Sequence, residues 1–477
     1  MVVPDLEQYD VIVIGSGSGL KVVWSALQEG LNVALVDKGP LNGTCLNSGC
    51  IPSKIMIYPA DVIRQLKDAK AIGIEGTIDK VDFELIMKRV WSLILAERKD
   101  TEEGIRAEKN LTWYKEIGEF VGDYRLKVGD KIITAPKIVI ATGSRAGVPP
   151  IEGINDVGYL DNESVLQLKK LPESMVIVGA GYIGCEYGHC FSALGTRVTL
   201  IGRHDVVLDD EDPEISAVVT KVLSRDLTYA ANYDAVKMVK EGDRKVVYAK
   251  NIKSGKVERF EAEHILIAAG RRSNADMLMP GNTGVEMDKK GWIVVNKYLE
   301  TTKPGIYALG DATGRYMFKH TANYEADVVS DNMLRGEHRE NDTHAVPHAV
   351  FTHPQVGSVG MTEMEAFKTN HKILVGRARY SDTAKGYAMG DEDSLVKLVV
   401  EKNTGKILGC SIVGPHAAIL VQQVVLLMNT EMLTLAPLER SQIIHPALSE
   451  VLSRAIDNLE SPNALLLGKQ MRGSTSR

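Results

Sequence analysis

Cysteine is scarce in this chain: five residues in 477, an odd number thinly spread. That is not the framework of a small disulfide-stapled secreted domain, and it suits a reducing compartment. No uninterrupted apolar run approaches the roughly 18 residues needed to span a bilayer, so no membrane segment is expected. The start, Met1-Val2-Val3-Pro4-Asp5, lacks a basic stretch leading into an apolar one, and residues 11–14 are too short for a signal core. A cytoplasmic location is the expectation. Surplus positive charge is missing too: 56 Lys and Arg against 62 Asp and Glu give a net charge of −6. A nucleic-acid partner is therefore not expected, because few cations are free to neutralise phosphates. Small molecules or proteins are.

What is present is ordinary globular composition, 44% hydrophobic and 25% charged, in a chain long enough for two to four domains at about 100–200 residues each. Residues 9–14 form a short β-branched run that ends in Gly15-Ser16-Gly17-Ser18-Gly19 and passes into a helical stretch at 20–29. A second apolar run at 33–36 ends in Asp37. Strand, glycine turn, helix and strand ending in an acid is the order of a dinucleotide-binding βαβ unit. The same order returns at residues 176–178, with Gly179, Gly181 and Gly184, a helix, and a strand at 198–201. Two further strands close the segments, one ending in Thr142-Gly143 and the other in Gly270-Arg271, and a run at 306–309 ends in Gly310-Asp311. The second unit is inserted in the first. The predicted fold class is α/β, with two Rossmann-like dinucleotide-binding domains and a C-terminal α+β dimerisation domain. The bounds read 1–147 with 276–346, then 148–275, then 347–465, and a flexible tail at 466–477.

Cys45 and Cys50 stand in Gly43-Thr44-Cys45-Leu46-Asn47-Ser48-Gly49-Cys50-Ile51-Pro52-Ser53-Lys54. The spacing places them on the first turn of a helix, whose partial positive charge stabilises thiolate. Spacing alone leaves three readings open: a redox pair, half a zinc site, or two buried apolar cysteines. No second Cys or His pair lies near enough to complete a zinc site, and no metal is expected.

The whole string resembles the active-site signature of the class I pyridine nucleotide–disulfide oxidoreductases, and the likeness runs over nearly the full chain in matching order. It implies that Cys50 is the thiolate against a flavin, that Cys45 exchanges with substrate, and that Lys54 lies near the flavin paired with Glu186. It also implies FAD in the first unit, with Asp37 on the adenosine ribose and Asp311 on the ribityl chain, and Tyr182 as a gate over the nicotinamide pocket. Cys185, Cys190 and Cys410 match no redox position and read as core thiols. One departure is Leu20, which stands where the third glycine of the first fingerprint belongs.

The second unit bears on the choice of nicotinamide. NAD recognition wants an acid at the end of the second strand, and that place is Gly202, followed by Arg203-His204. A cation is what a 2′-phosphate requires. NADPH is favoured over NADH, although Asp209 takes the place where glutathione reductases carry a second arginine.

The segment His445-Pro446-Ala447-Leu448-Ser449-Glu450 resembles the family's catalytic base and its orienting acid. A thiol–disulfide exchange needs such a base, and imidazole titrates in the right range. In the family this segment serves the neighbouring subunit, which implies a homodimer with composite sites. Ile443 stands where dihydrolipoamide dehydrogenases place another histidine. The expected function is an FAD-dependent NAD(P)H:disulfide oxidoreductase, ranked first as dihydrolipoamide-dehydrogenase-like, acting on a small dithiol or lipoyl protein. The alternative is an NADPH-dependent reductase of a low-mass disulfide, as in mycothione or glutathione reductase. An FAD-binding electron-transfer subunit ranks last.

Overall fold

Short β-branched runs buried on both faces build the first layer. In the computed structural model, which describes residues 6–369 and 371–462, Val11–Ile14 is the middle strand of a five-stranded sheet. Val33–Val36 and then Leu111–Tyr114 lie on one side, Lys137–Ile140 and then Ile306–Ala308 on the other, every pair parallel. All residues of Val11–Ile14 and Val33–Val36 are buried, which is why these runs are continuously apolar rather than alternating. The expected tail at 466–477 lies outside the described residues.

The chain leaves this sheet after Ile140 and rejoins it at Ile306. In between, Ser174–Val178, Arg197–Gly202, Thr228–Ala231 and His264–Ile267 make a second, four-stranded parallel sheet. The outgoing and returning segments pair with each other, Ser144–Ala146 antiparallel to Arg271–Ser273. Two smaller sheets, one mixed and one antiparallel, accompany the parallel ones, and the sequence reading did not contain them. One joins Leu6–Gln8 to the strands at Lys131–Thr134, Arg125–Val128 and Gly118–Gly122. The other is the meander Tyr233–Glu241, Arg244–Asn251, Val257–Ala262.

The missing third glycine in the first turn has a local answer. A Cβ on Gly19 would lie 3.0 Å from Val13 Cγ1 and 3.1 Å from Ala141 Cβ, so Gly19 supplies the close approach of helix to sheet. Leu20 turns into the core beneath.

From Pro347 onward the sheet is antiparallel: Pro347–Val350, Val356–Gly360, Ile407–Val413, Leu395–Glu401, Ile373–Arg379. The helices Ala417–Met428 and Glu450–Asp457 cover it through Val421, Val424, Val451 and Leu452. A buried charge cluster ties this sheet to the second unit. Lys397, only 3% exposed, contacts Asp212, Glu214 and Glu363 at 2.6–2.8 Å, and Arg377 joins Glu214 to Glu363. Removing one member would strand the others without compensation, so the cluster fixes this seam. The helix Cys50–Asp68 ties the first unit to the second, packing Met56, Ala60 and Ile63 into one core with Cys190 and Phe191. Among the described residues no helix is long and apolar enough to cross a membrane.

Candidate active site

The expectation of one helical turn carrying both cysteines is refined by a break. Gly43–Ser48 and Cys50–Asp68 are separate helices, divided at Gly49, where a Cβ would sit 2.9 Å from the Thr44 carbonyl oxygen. Each thiol therefore stands in a first helical turn of its own. Asn47 braces the loop between them, donating to the carbonyls of Leu41 and Gly43 at 2.7 Å and accepting from Arg98 Nε. Asn162 of the second unit donates to the Ser48 carbonyl at 3.0 Å.

Both cysteines are free thiols. The hydrogen bond between them splits their acidities. With Cys45 donating to it, and with the Lys54 ammonium nearby, the Cys50 thiol is brought down to about 7 against the opposing effect of burial. Cys45, donor of that bond and itself partly buried, is pushed up. The pair is thus set to lose one proton near neutrality and to keep the other. Lys54 Nζ meets Glu186 Oε2 at 2.6 Å across the two units, as expected, and lies 4.7 Å from the centre of the Phe351 ring. Glu186 Oε1 accepts from the Phe351 amide at 2.9 Å. Cys185, Cys190 and Cys410 are buried, and burial raises each.

One cavity of about 300 Å3 gathers most of the predicted residues. Gly15, Gly17, Asp37, Gly43, Thr44, Cys45, Cys50, Lys54, Thr142, Gly143, Tyr182, Glu186, Arg271, Gly310 and Asp311 all line it. The residues fit FAD on three counts. Gly15 has φ +106 and no room for a Cβ, which would fall 2.2 Å from the Ala141 carbonyl oxygen, so the backbone itself forms the wall. The helix Gly19–Gln28 begins without a side-chain cap, leaving its first amides for an anion. Ser16 Oγ and Thr142 Oγ1 are buried without a protein partner, and both residues line the cavity. Asp37 closes the second strand, accepting from the amides of Ser16 at 2.6 Å and Gly39 at 2.7 Å. Asp311 accepts from Ser144 Oγ at 2.5 Å and lies 3.7 Å from Arg271 Nε.

Of the first turn's residues, Gly19 stands back from this cavity as a packing residue. So do Gly179 and Gly184 of the second turn. A Cβ on Gly184 would fall 1.8 Å from the Gly179 carbonyl oxygen, and one on Gly179 would fall 2.3 Å from that of Ala268, so helix, turn and sheet close on each other. Gly181, in extended backbone, opens the helix Tyr182–Leu194 without a side-chain cap. Gly270 precedes Arg271 at the returning strand. At the end of the second strand, the Cβ position of Gly202 is already taken by the Tyr229 hydroxyl, 2.6 Å away, and by Ala180 Cβ, 2.8 Å away. Arg203 is exposed, its nearest carboxylate being Asp234 at 4.0 Å. His204 Nε2 faces Asp209 at 3.1 Å.

His445 and Glu450 form their pair, Nδ1 to Oε1 at 2.7 Å, with Glu450 Oε2 accepting from the Ala447 amide. The hydrogen bond with His445 holds the Glu450 carboxyl below its usual range. The imidazole is 70% exposed and does not line the cavity that holds the cysteines. Within one chain the two pairs stay apart.

Sequence reasoning missed Lys319. It heads the helix Lys319–Arg335, lines the cavity and donates to Ser18 Oγ at 3.2 Å, and burial lowers its pKa. It also missed Glu211, which accepts a hydrogen bond from the Tyr182 hydroxyl at 2.9 Å. Neither belongs to a local motif, because each enters the site from a segment remote from the glycines and cysteines.

Residues 9–326 match the pyridine nucleotide-disulphide oxidoreductase family, and residues 346–456 match that family's dimerisation domain. The chain is 36% identical to a mycothione reductase of Mycobacterium tuberculosis over 469 residues, 94% of this chain and 99% of that protein. It is 33% identical to a dihydrolipoyl dehydrogenase of Chlamydia pneumoniae, covering 93% and 95%. Among solved structures it resembles the HOCl-induced flavoprotein disulfide reductase RclA from Escherichia coli, with a TM-score of 0.83, 28% identity and coverage of 94% and 99%.

Proposed function

The chain belongs to the pyridine nucleotide-disulphide oxidoreductase family, FAD-dependent enzymes with NAD(P)H as electron donor, and from that premise we propose that it is an NADPH-using reductase of a low-mass disulfide. The observation that carries the choice is Gly202. An acidic side chain there would collide with Tyr229, so no carboxylate stands at this place to grip the ribose hydroxyls of NAD, while Arg203 is exposed beside it, only loosely paired with Asp234 at 4.0 Å, where a 2′-phosphate can reach it. His204, facing Asp209, contributes less.

When bound, FAD supplies the route by which the nicotinamide's electron pair reaches the Cys45–Cys50 disulfide. The chain's own residues do the rest. With the disulfide opened, Cys50 holds the thiolate beside Lys54, and Glu186 fixes Lys54 in place. Cys45, deprotonated by His445 of the partner subunit, attacks one sulfur of the substrate disulfide, forming a mixed disulfide and releasing the first thiol, which takes its proton from that imidazole. The Cys50 thiolate then attacks Cys45 Sγ, releasing the second thiolate, which is protonated from water, and restoring the Cys45–Cys50 bond. Glu450 holds the imidazole in the required tautomer. The dimer follows from the same reading: His445 is solvent-exposed in one chain, and Ile444, Ile419 and Leu426 leave apolar surface uncovered around the dimerisation domain. The domain bounds, with FAD on 1–147 and 276–346, nicotinamide on 148–275 and pairing through 347–465, belong to the reading as well, as does a cytoplasmic location.

The 36% identity to a mycothione reductase favours a mycothione-type disulfide. The Cys45–Lys54 string and the dihydrolipoyl dehydrogenase likeness support a second reading, oxidation of a lipoyl dithiol. Steady-state assays with lipoamide, glutathione disulfide and mycothiol-type disulfides, each with NADPH and NADH, separate them. Turnover of a low-mass disulfide with NADPH is the expected result. Strong turnover of lipoamide with the NAD couple alone would reject it.

A further inference from the structure

Tyr182 lines the FAD cavity and is also the first residue after the second glycine turn. A nicotinamide delivered by that turn must pass this ring to reach the cavity. The ring is unusually well held. It stacks on His348 with centroids 5.6 Å apart and on Phe318 at 6.2 Å, and those two stack on each other at 5.6 Å. Its hydroxyl donates to Glu211 Oε1 at 2.9 Å.

Glu211 is itself buried, 6% exposed, and anchored from the other side. His348 Nε2 lies 2.6 Å from Oε1, and Ser358 Oγ donates to Oε2 at 2.8 Å. Both come from neighbouring strands of the antiparallel sheet, Pro347–Val350 and Val356–Gly360. The carboxylate therefore belongs to the second unit by sequence and to the third region by its bonds. Burial works against its charge, but the bonds from His348, Ser358 and Tyr182 prevail and keep the carboxyl ionised below its usual range. A hydrogen bond to a buried carboxylate is among the stronger kinds.

We propose that Glu211 is the positioning residue of the nicotinamide entrance, holding Tyr182 closed across the cavity through a carboxylate that His348 and Ser358 fix in place. This rests on the reading of Tyr182 as the gate. Entry of the nicotinamide breaks the Tyr182–Glu211 bond, so the apparent affinity is the intrinsic one reduced by the fraction of molecules already open. Loosening the tether raises that fraction and tightens apparent binding, with no change in the thiol chemistry.

The test is stopped-flow reduction of the FAD-loaded dimer by NADPH, set beside reaction of the pre-reduced enzyme with its disulfide substrate. Tyr182→Phe keeps the stacked ring and deletes the bond. Glu211→Gln keeps the shape and deletes the charge. Each should lower the NADPH concentration for half-maximal flavin bleaching by about three- to tenfold, and Glu211→Gln should leave the disulfide half-reaction unchanged. The double variant should match Tyr182→Phe alone, since the tether acts only through that hydroxyl. Additive effects, or an unchanged Glu211→Gln beside a Tyr182→Ala that shifts NADPH binding, would reject the tether and leave the gate standing. If Tyr182→Phe and Tyr182→Ala both leave NADPH binding unmoved, the gate reading itself falls, and the tether with it. Should Glu211→Gln misfold, Tyr182→Phe alone decides the matter.

Discussion

The thiol pair and the imidazole–carboxylate pair are each five positions apart in sequence, yet the chain places one inside a cavity and the other on its surface. Cys45 and Cys50 are surrounded by two nucleotide units, with an ammonium, a carboxylate and a bracing asparagine within reach. His445 and Glu450 have each other, one backbone amide and solvent. A base and the thiol it serves must come within hydrogen-bond reach, and a single chain does not achieve this. On the proposed reading, the first pair is complete in the monomer and the second is built for a neighbour.

The comparison breaks hardest at the cysteines. Cys45→Ser or Cys50→Ser should lower disulfide turnover by at least on the order of a thousandfold while FAD stays bound, read from the flavin spectrum of the purified variant. Near-normal turnover in either would remove the redox role. His445→Ala should cost about 10²–10⁴-fold in kcat. Mixing that variant with Cys45→Ser under subunit exchange should then recover about a quarter of wild-type activity, because random pairing gives hybrid dimers with one intact composite site. No recovery despite demonstrated exchange would place the imidazole in its own chain's site.

A smaller effect tests why the first pair is poised. Because the Cys50 pKa is lowered to about 7, its thiolate persists down to that pH and is protonated below it. Alkylation of the reduced enzyme by iodoacetamide should rise with pH through a midpoint near 7, and Lys54→Met should move the midpoint upward by removing the neighbouring positive charge. An unmoved midpoint would assign the lowering to the hydrogen bonds at the Cys50 sulfur, chiefly that from Cys45, and not to Lys54. The smallest effect concerns the end of the second unit's second strand: Arg203→Ala should cost about tenfold in kcat/KM with NADPH and little with NADH. Equal losses with both nucleotides would show that Arg203 does not read the 2′-phosphate.

Much of this was legible in the chain before its fold. The two glycine turns announced parallel sheets because each sits between continuous apolar runs, and the Lys54–Glu186 pair was expected and is formed. The two smaller sheets were missed although each carries a two-residue hairpin turn, Gly129-Asp130 and Gly242-Asp243: their strands lie between the nucleotide motifs, and which strands they join is settled only when the parallel units are in place. Leu20 looked like a flaw in the first fingerprint, and the flaw vanished when Gly19 proved to be the residue in contact with Val13 and Ala141. One turn expected to carry both thiols became two helices at Gly49.

The sequence by itself determined the order of the units and, through the family resemblance, the class of cofactor and the expected chemistry of the cysteines, because the motifs that carry these are short runs of residues set in a fixed order along the chain. Only the tertiary structure decided that Tyr229 occupies the space beside Gly202, that Lys319 joins the thiol cavity, that Glu211 links Tyr182 to a distant sheet, and that His445 faces away from the thiols of its own chain. Those facts depend on which segments meet in space, and no local pattern of residues encodes such a meeting.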